Sequence, residues 1–300
     1  MKLELKEINK YFGEKHILKD VSFTVTSGKA MGFLGRNGAG KTTTIRILMD
    51  VFRQDSGSLL LDGKPFQRQN YRIGYLPEER GMYSKSTVLE QLVYFAMLRG
   101  VKEKEAKANA QYWLKRFDLD AYANQKLEVL SKGNQQKVQI SQSFIADPEI
   151  LILDEPFSGL DPVNAQVFKE ALREFIGQGR LVIFSSHQMA YVEEFCDDVA
   201  LIDQGKIILA GELQAIKRDW GKDKVRLLTK SEAELELLLE QRQLPFQKEQ
   251  GAYLISLSEM YQKTKLLKEL VEHGIEIDLF AEYQPKLEEI FVSKVGEHHA

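Results

Sequence analysis

Apolar and polar positions change period several times along this chain, and those changes mark its elements. Leu3, Leu5 and Ile8, then Val21, Phe23 and Val25, alternate with polar residues and predict two strands before a turn at Ser27-Gly28. Tyr11-Phe12-Gly13 is expected to close the loop between them. Ala30 to Leu34 reads as a buried strand and Thr42 to Val51 as a helix. Asp55-Ser56-Gly57 and Asp62-Gly63 bracket Ser58 to Leu61 as a β-hairpin. Ile73 to Leu76 is a short strand running into Pro77-Glu78-Glu79-Arg80-Gly81. Thr87 with Glu90 makes a capping box, and Leu89, Leu92, Val93, Ala96 and Met97 share a helical face that Gly100 ends. A second helix carries Ala106, Ala110, Trp113, Leu114 and Phe117 at helical spacing. Their aromatic and Met side chains are expected in a core, so residues of about 85–147 predict a helical subdomain inserted between strands.

The later pattern is that of a parallel sheet. Ile150 to Leu153 is apolar throughout and ends in Asp154-Glu155, and Leu181 to Phe184 is apolar and ends in Ser185-Ser186-His187. Between them Asp161 is placed as N-cap and Pro162 as first residue of a helix that runs to about Gly177. Val199 to Asp203 and Lys206 to Ala210 pair around Gln204-Gly205. Beyond about Trp220 the texture changes. Strands at Val225 to Thr229, Ala252 to Leu257 and Ile275 to Phe280 alternate with helices at Glu232 to Arg242, Glu259 to His273 and Pro285 to Val295, which predicts a small α+β domain of ferredoxin-like type. The expected division is therefore 1–219 and 220–300.

Composition narrows the classes. Lys and Arg number 41 against 44 Asp and Glu, a net charge of −3, which gives no support to a nucleic-acid binder relying on bulk positive charge. The single cysteine, Cys196, excludes an intrachain disulfide framework and a cysteine-ligated zinc site, and is expected as a small buried residue. No apolar run approaches the roughly 18 residues of a membrane helix, and the start Met-Lys-Leu-Glu-Leu-Lys lacks a signal peptide's apolar core. A membrane role would need another chain to span the bilayer. The terminal His298-His299 is expected to be a solvated end.

The candidate chemistry starts at Gly35-Arg36-Asn37-Gly38-Ala39-Gly40-Lys41-Thr42, a P-loop between a strand and a helix. Its glycines let backbone N–H groups turn toward phosphate oxygens, and the helix that follows adds the positive end of its dipole. Lys41 is placed to reach the β and γ phosphates and the Thr42 hydroxyl to ligate Mg²⁺, with Thr43 beside it. Asp154 and Glu155 end a strand at the edge where open α/β sheets bind ligands. Leu130-Ser131-Lys132-Gly133-Asn134-Gln135-Gln136-Lys137 precedes another helix, whose start offers a second phosphate-binding edge.

The order of these motifs resembles the ATP-binding cassette (ABC) family over residues of about 2–215. Gly35 to Thr42 is similar to its P-loop, Leu130 to Lys137 to its signature motif, Asp154-Glu155 to the end of its Walker B strand and Ser158 to Asp161 to its D-loop. His187 matches the switch histidine and Tyr11 the aromatic that stacks on adenine. The resemblance implies an α/β P-loop NTPase fold: a parallel core sheet, an N-terminal antiparallel β subdomain and a helical insertion. It implies ATP and Mg²⁺ as cofactors, with Thr42, Asp154 and Glu78 toward the metal. Glu155, His187 and Lys41 would be the catalytic residues. Ser131, Lys132, Gly133 and Asn134 would face the nucleotide of a second subunit in a head-to-tail dimer, formed with an identical chain or a paralogue.

The C-terminal part, including Leu287-Glu288-Glu289-Ile290-Phe291, resembles the extension on ATPase subunits of ABC-2 type exporters, which include sodium-efflux and drug-export systems. That implies integral membrane permease subunits as partners, a place on the cytoplasmic face of the cell membrane and no nucleic acid. The alternatives are a soluble cassette acting on ribosomes or nucleic acid, and a nucleotide-dependent module that does not hydrolyse. This chain departs from the family at Glu78, where glutamine is usual, and at Lys132 and Asn134 in the signature.

Overall fold

Alternating burial makes β1 (Lys2–Phe12), which pairs antiparallel with β2 (Lys15–Thr26) and turns Leu3, Leu5, Val21, Phe23 and Val25 into one core. The fold is that of a computed structural model describing residues 1–78, 81–249, 251–258 and 262–299. Strand β1 continues through Tyr11 and Phe12, where a loop was expected. Tyr11 pairs with His16 and stacks on its ring, and Phe12 packs edge-on against Phe52.

Next come β3 (Ala30–Leu34), buried throughout, and α1 (Lys41–Leu48). The hairpin of β4 (Ser56–Leu61) and β5 (Lys64–Pro65) then adds to β1, giving the order β2-β1-β4-β5. Asp62 (φ 50°) and Gly63 (φ 77°) both take the left-handed conformation that a two-residue type I′ turn requires.

Strand β6 (Ile73–Leu76) leads to the helical subdomain of α2 (Val88–Leu98), α3 (Glu103–Arg116) and α4 (Lys132–Phe144). The capping box of Thr87 and Glu90 is present at the start of α2. The helix buries Val88, Gln91, Leu92 and Ala96, so its inward face is rotated from the expected one and Met97 is 46 % exposed. Ala106, Ala110, Leu114 and Phe117 are buried as expected, and Trp113 stacks on Phe144 with ring centroids 4.7 Å apart.

Strands β7 (Ile150–Asp154), β8 (Leu181–Ser186), β9 (Asp198–Asp203) and β10 (Lys206–Glu212) complete a sheet of order β10-β9-β3-β8-β7-β6, with α5 (Pro162–Gly177) and α6 (Met189–Phe195) between them. The pairs β6·β7, β7·β8, β3·β8 and β3·β9 are parallel and β9·β10 antiparallel. Parallel pairing puts the C-terminal ends of β3, β7 and β8 on one edge, where the P-loop, the two acids and His187 emerge. Cys196 is buried directly after α6, and no helix among the described residues is long and apolar enough to cross a membrane.

A second unit runs from Leu213 to His298. It takes in α7 (Leu213–Gly221), so the division falls short of the expected boundary at residue 219. The end of α7 is tied into this unit: the Lys294 ammonium sits 5.0 Å from the Trp220 ring, and a Cβ on Gly221 would lie 1.9 Å from the Tyr283 carbonyl oxygen. The unit then runs β11 (Lys224–Leu228), α8 (Glu232–Gln241), β12 (Phe246–Glu249), β13 (Ala252–Ser256), α9 (Lys263–Glu272), β14 (Leu279–Glu282) and α10 (Leu287–His299). Its antiparallel sheet has the order β12-β13-β11-β14, the split βαβ arrangement of the ferredoxin-like type.

Two details differ from the sequence reading. Strand β12 adds a fourth member, and Ile275 does not begin a strand. Its N–H bonds the Leu270 carbonyl while that of Gly274 bonds Val271, so Ile275 is the buried residue closing the C-terminal motif of α9. The expected start of that helix, Glu259 to Tyr261, lies outside the described residues, as do Glu79 and Arg80.

Candidate active site

The loop between β3 and α1 is shaped by backbone that only glycine tolerates well. Gly38 and Gly40 have φ of 80° and 118°, and a Cβ on Gly40 would lie 2.7 Å from Leu18 Cδ2. Gly35 passes so close to β9 that a Cβ there would be 2.4 Å from the Ile202 carbonyl oxygen, and Ala39 is buried behind the loop. Gly40 is the N-cap of α1 and no side chain caps that helix end. Its first amides therefore open onto a cavity of about 250 Å³, lined by Arg36, Asn37, Gly38 and Gly40 together with Lys41, Thr42 and Thr43. Ile17 from β2 forms an apolar wall of the same cavity.

Lys41 is 7 % exposed and donates from Nζ to the carbonyl oxygens of Gly35 (2.6 Å) and Arg36 (3.3 Å). Burial pushes its ammonium below the ordinary lysine range, and the carboxylates of Glu155, Asp154 and Glu78 oppose that shift. Those acids face Lys41 across the cavity, which Glu78, Asp154 and Glu155 also line. A cation, an open helix start and three carboxylates thus share one pocket.

Asp154 and Ser185 are register partners on β7 and β8, and the Ser185 hydroxyl donates to Asp154 Oδ1 at 2.9 Å. Asp154 Oδ2 is buried and has no partner. Burial drives the Asp154 carboxyl above the usual range; Ser185 and Lys41 oppose that shift, while Glu78 and Glu155 add to it. Glu155 turns out of the strand at φ 50°, its N–H bonding the Ser185 carbonyl at 2.9 Å. Its Oε2 accepts from the Ser186 hydroxyl (3.0 Å), and Oε1 accepts from the His187 N–H (2.7 Å) and lies 2.6 Å from His187 Nδ1. The His187 side chain is 61 % exposed beyond that contact.

The donor set fits a hard divalent cation. An orphaned carboxylate oxygen in a low-dielectric pocket lacks the positive partner that buried charge requires, and the Thr42 hydroxyl and Glu78 open on the same space. Among the described residues no cluster of three or more His, Cys, Asp or Glu is arranged to hold a metal by itself.

Other residues singled out in the sequence lie elsewhere. Tyr11 is 45 % exposed, stacked on His16 at 4.0 Å, and does not line the cavity. Ser131 is the N-cap of α4, accepting from the Asn134 N–H at 3.3 Å, and with Lys132, Gly133 and Asn134 it stands outside the cavity lining. Asp161 caps α5, accepting from the Asn164 N–H at 3.0 Å, and that bond holds its carboxyl below the usual range; Ser158 is exposed nearby in sequence. The two serines that grip the acids, and Ile17, were not identified as site residues from sequence. Two hydroxyls ending an apolar strand were the available signal, but register decides what they reach.

A phosphate cradle opposite an Asp-Glu pair at the end of a neighbouring parallel strand defines a P-loop nucleotide hydrolase. Comparison with known proteins makes the class narrower. The ABC transporter family profile matches residues 18–158, and that of the ATP-binding protein DrrA1-3-like C-terminal domain matches 211–295. The ABC transporter ATP-binding protein YhaQ of Bacillus subtilis (strain 168) is 38 % identical over 98 % of both chains, and the linearmycin resistance ATP-binding protein LnrL of the same organism is 31 % identical over 98 % of both. A solved ATP-binding subunit of an ABC transporter is 30 % identical with a TM-score of 0.68, covering 74 % of this chain and 94 % of that one. The chain belongs to the family of ABC transporter ATP-binding proteins, and it is an ATPase of that family.

Proposed function

We propose that this chain is the ATP-hydrolysing subunit of an export complex whose membrane path is supplied by separate permease subunits. The observation that carries the reading is the convergence of Lys41, Thr42, Asp154 and Glu155 on one cavity at an uncapped helix start. Lys41 and the P-loop amides hold the β and γ phosphates. Thr42 and, through water, Asp154, with Glu78 close by, would hold Mg²⁺, which would supply positive charge against the phosphate oxygens. Glu155 orients the attacking water and takes its proton, and His187 holds Glu155 in place. Tyr11, stacked on His16 outside the cavity lining, would have to leave that ring to stack on the adenine.

Ser131, Lys132, Gly133 and Asn134 face the nucleotide of a second cassette, with Ser158 and Asp161 at the same junction. Their position outside this chain's own cavity supports that reading. Two chains then close head to tail on two ATP molecules and reopen after hydrolysis, and that cycle drives the membrane subunits. Export is supported by the linearmycin resistance protein and by a Nod factor export ATP-binding protein of Burkholderia lata, 32 % identical over 71 % of this chain. Such a subunit sits at the cytoplasmic face of the membrane. Size-exclusion chromatography of Glu155→Gln tests the assembly: ATP with Mg²⁺ is expected to convert monomer to dimer, and a monomer at saturating nucleotide would refute it.

A further inference from the structure

Consecutive serines at the end of β8 each hold one of the consecutive acids that end β7. Ser185 bonds Asp154 and Ser186 bonds Glu155, at 2.9 and 3.0 Å, and both serines are fully buried. The hydrogen of Ser186 is committed, because its oxygen also accepts the Gln188 N–H at 3.0 Å and the hydroxyl is left to donate to Glu155 Oε2. Glu155 has a second holder in His187, whose side chain is 61 % exposed, whereas Ser186 is buried between the strand end and the start of α6. Ser185 satisfies one oxygen of Asp154 and leaves the other buried without a partner, in a residue that lines the cavity.

We propose that the two serines are positioning residues with separate tasks: Ser186 keeps the Glu155 carboxylate aimed at the attacking water when the His187 ring moves, and Ser185 aims Asp154 Oδ2 at the metal. The assignment rests on the hydrolytic roles given above to Asp154 and Glu155. It extends the catalytic apparatus to two residues that touch neither nucleotide nor metal. A hydrogen bond to a charged group, once lost, leaves the carboxylate free to rotate, and misplacement of a base reduces turnover without weakening substrate binding.

The test separates the two tasks in the full-length protein. Ser186→Ala is expected to lower kcat roughly tenfold or more with nucleotide affinity nearly unchanged, and Ser186→Thr to restore it. In a Glu155→Gln background the same change should cost nothing further, since the group it positions is gone. Ser185→Ala is expected to raise severalfold the Mg²⁺ concentration that half-maximally promotes binding of a fluorescent ATP analogue, with Ser185→Thr restoring it and Ser186→Ala leaving it in place. Equal shifts of both readouts by both alanine variants would show general loosening of the strand end and overturn the proposal. So would a Ser186→Ala kcat within twofold of the unaltered protein, or a full additional loss on Glu155→Gln. The binding readout does not depend on hydrolysis, so it stands or falls separately from the assignment of Glu155 as base.

Discussion

Glu155→Gln removes the proposed base while leaving most of its setting in place, and the hydrogen bonds show why. Oε1 accepts from the His187 N–H at 2.7 Å, so the amide carbonyl of glutamine takes that position. The amide NH₂ then occupies the place of Oε2, 3.0 Å from Ser186 Oγ. Ser186 already accepts from Gln188 and keeps a second lone pair for the new donor, so the amide NH₂ is satisfied and only the Ser186 hydrogen loses its acceptor, at a cost of about 1 kcal/mol. The backbone at φ 50° is as open to glutamine as to glutamate. What disappears is the capacity to take a proton, worth about 10²- to 10³-fold, or about 3–4 kcal/mol of barrier. The assay is phosphate release at saturating ATP and Mg²⁺, beside nucleotide affinity by fluorescence and thermal melting. Turnover should fall about 100- to 1,000-fold with Tm and affinity close to the unaltered protein. Turnover within threefold would refute the role of Glu155, and a large drop in Tm would refute the hydrogen-bond reasoning.

Three further outcomes are expected. Gly40→Ala, forced into φ 118° and against Leu18, should abolish nucleotide binding while leaving the second unit's melting unchanged, as read by calorimetry. For Asp154, burial raises the folded-state carboxyl above its unfolded value, so its charge subtracts from stability at neutral pH and the penalty fades as pH falls through that raised value. Asp154→Asn should thus melt at or above the unaltered nucleotide-free protein at neutral pH and lose Mg²⁺-dependent nucleotide binding; a clearly lower Tm would contradict this. Arg116 grips Glu174 with two bonds of 2.7 Å, and that contact depresses the Glu174 carboxyl, so its contribution is present above the ordinary carboxylate range and vanishes as pH falls through the lowered value. Because Glu174 is largely exposed, the ion pair should contribute only about 0.5–1 kcal/mol at pH 7 in urea unfolding, and Arg116→Ala should cost less in strong acid, where only the contacts with Tyr112 and Trp113 remain to be lost.

Much of this was legible in the residues because the signals are local. The P-loop, the capping box of Thr87 and Glu90, the Asp62-Gly63 turn and the acids ending β7 each rest on a few neighbours in sequence. What escaped depends on distant partners. The role of Ser185 and Ser186 follows from the register of β7 on β8, which no stretch of either strand encodes alone. The inward face of α2 is set by what packs on it, so Gln91 is buried and Met97 is not. Strand β12 has one apolar residue, Phe246, and forms because β13 offers it a partner. Ile275 looked like the start of a strand because hydrophobicity alone does not distinguish a strand residue from a helix-closing one.

The parallel pair β7·β8 carries a consequence for folding. Both strands are buried along their whole length, on both faces, so hydrophobic burial alone would accept a pairing slipped by one residue. The polar ends would not: a slip in one direction would set the buried Asp154 carboxylate opposite Phe184 and strand it without its hydroxyl. The acids proposed to act in hydrolysis therefore also disfavour one of the two slipped alignments of the central sheet. Insertions or deletions of a single residue in β8 should consequently fail at assembly of the sheet, before any loss of turnover can be measured.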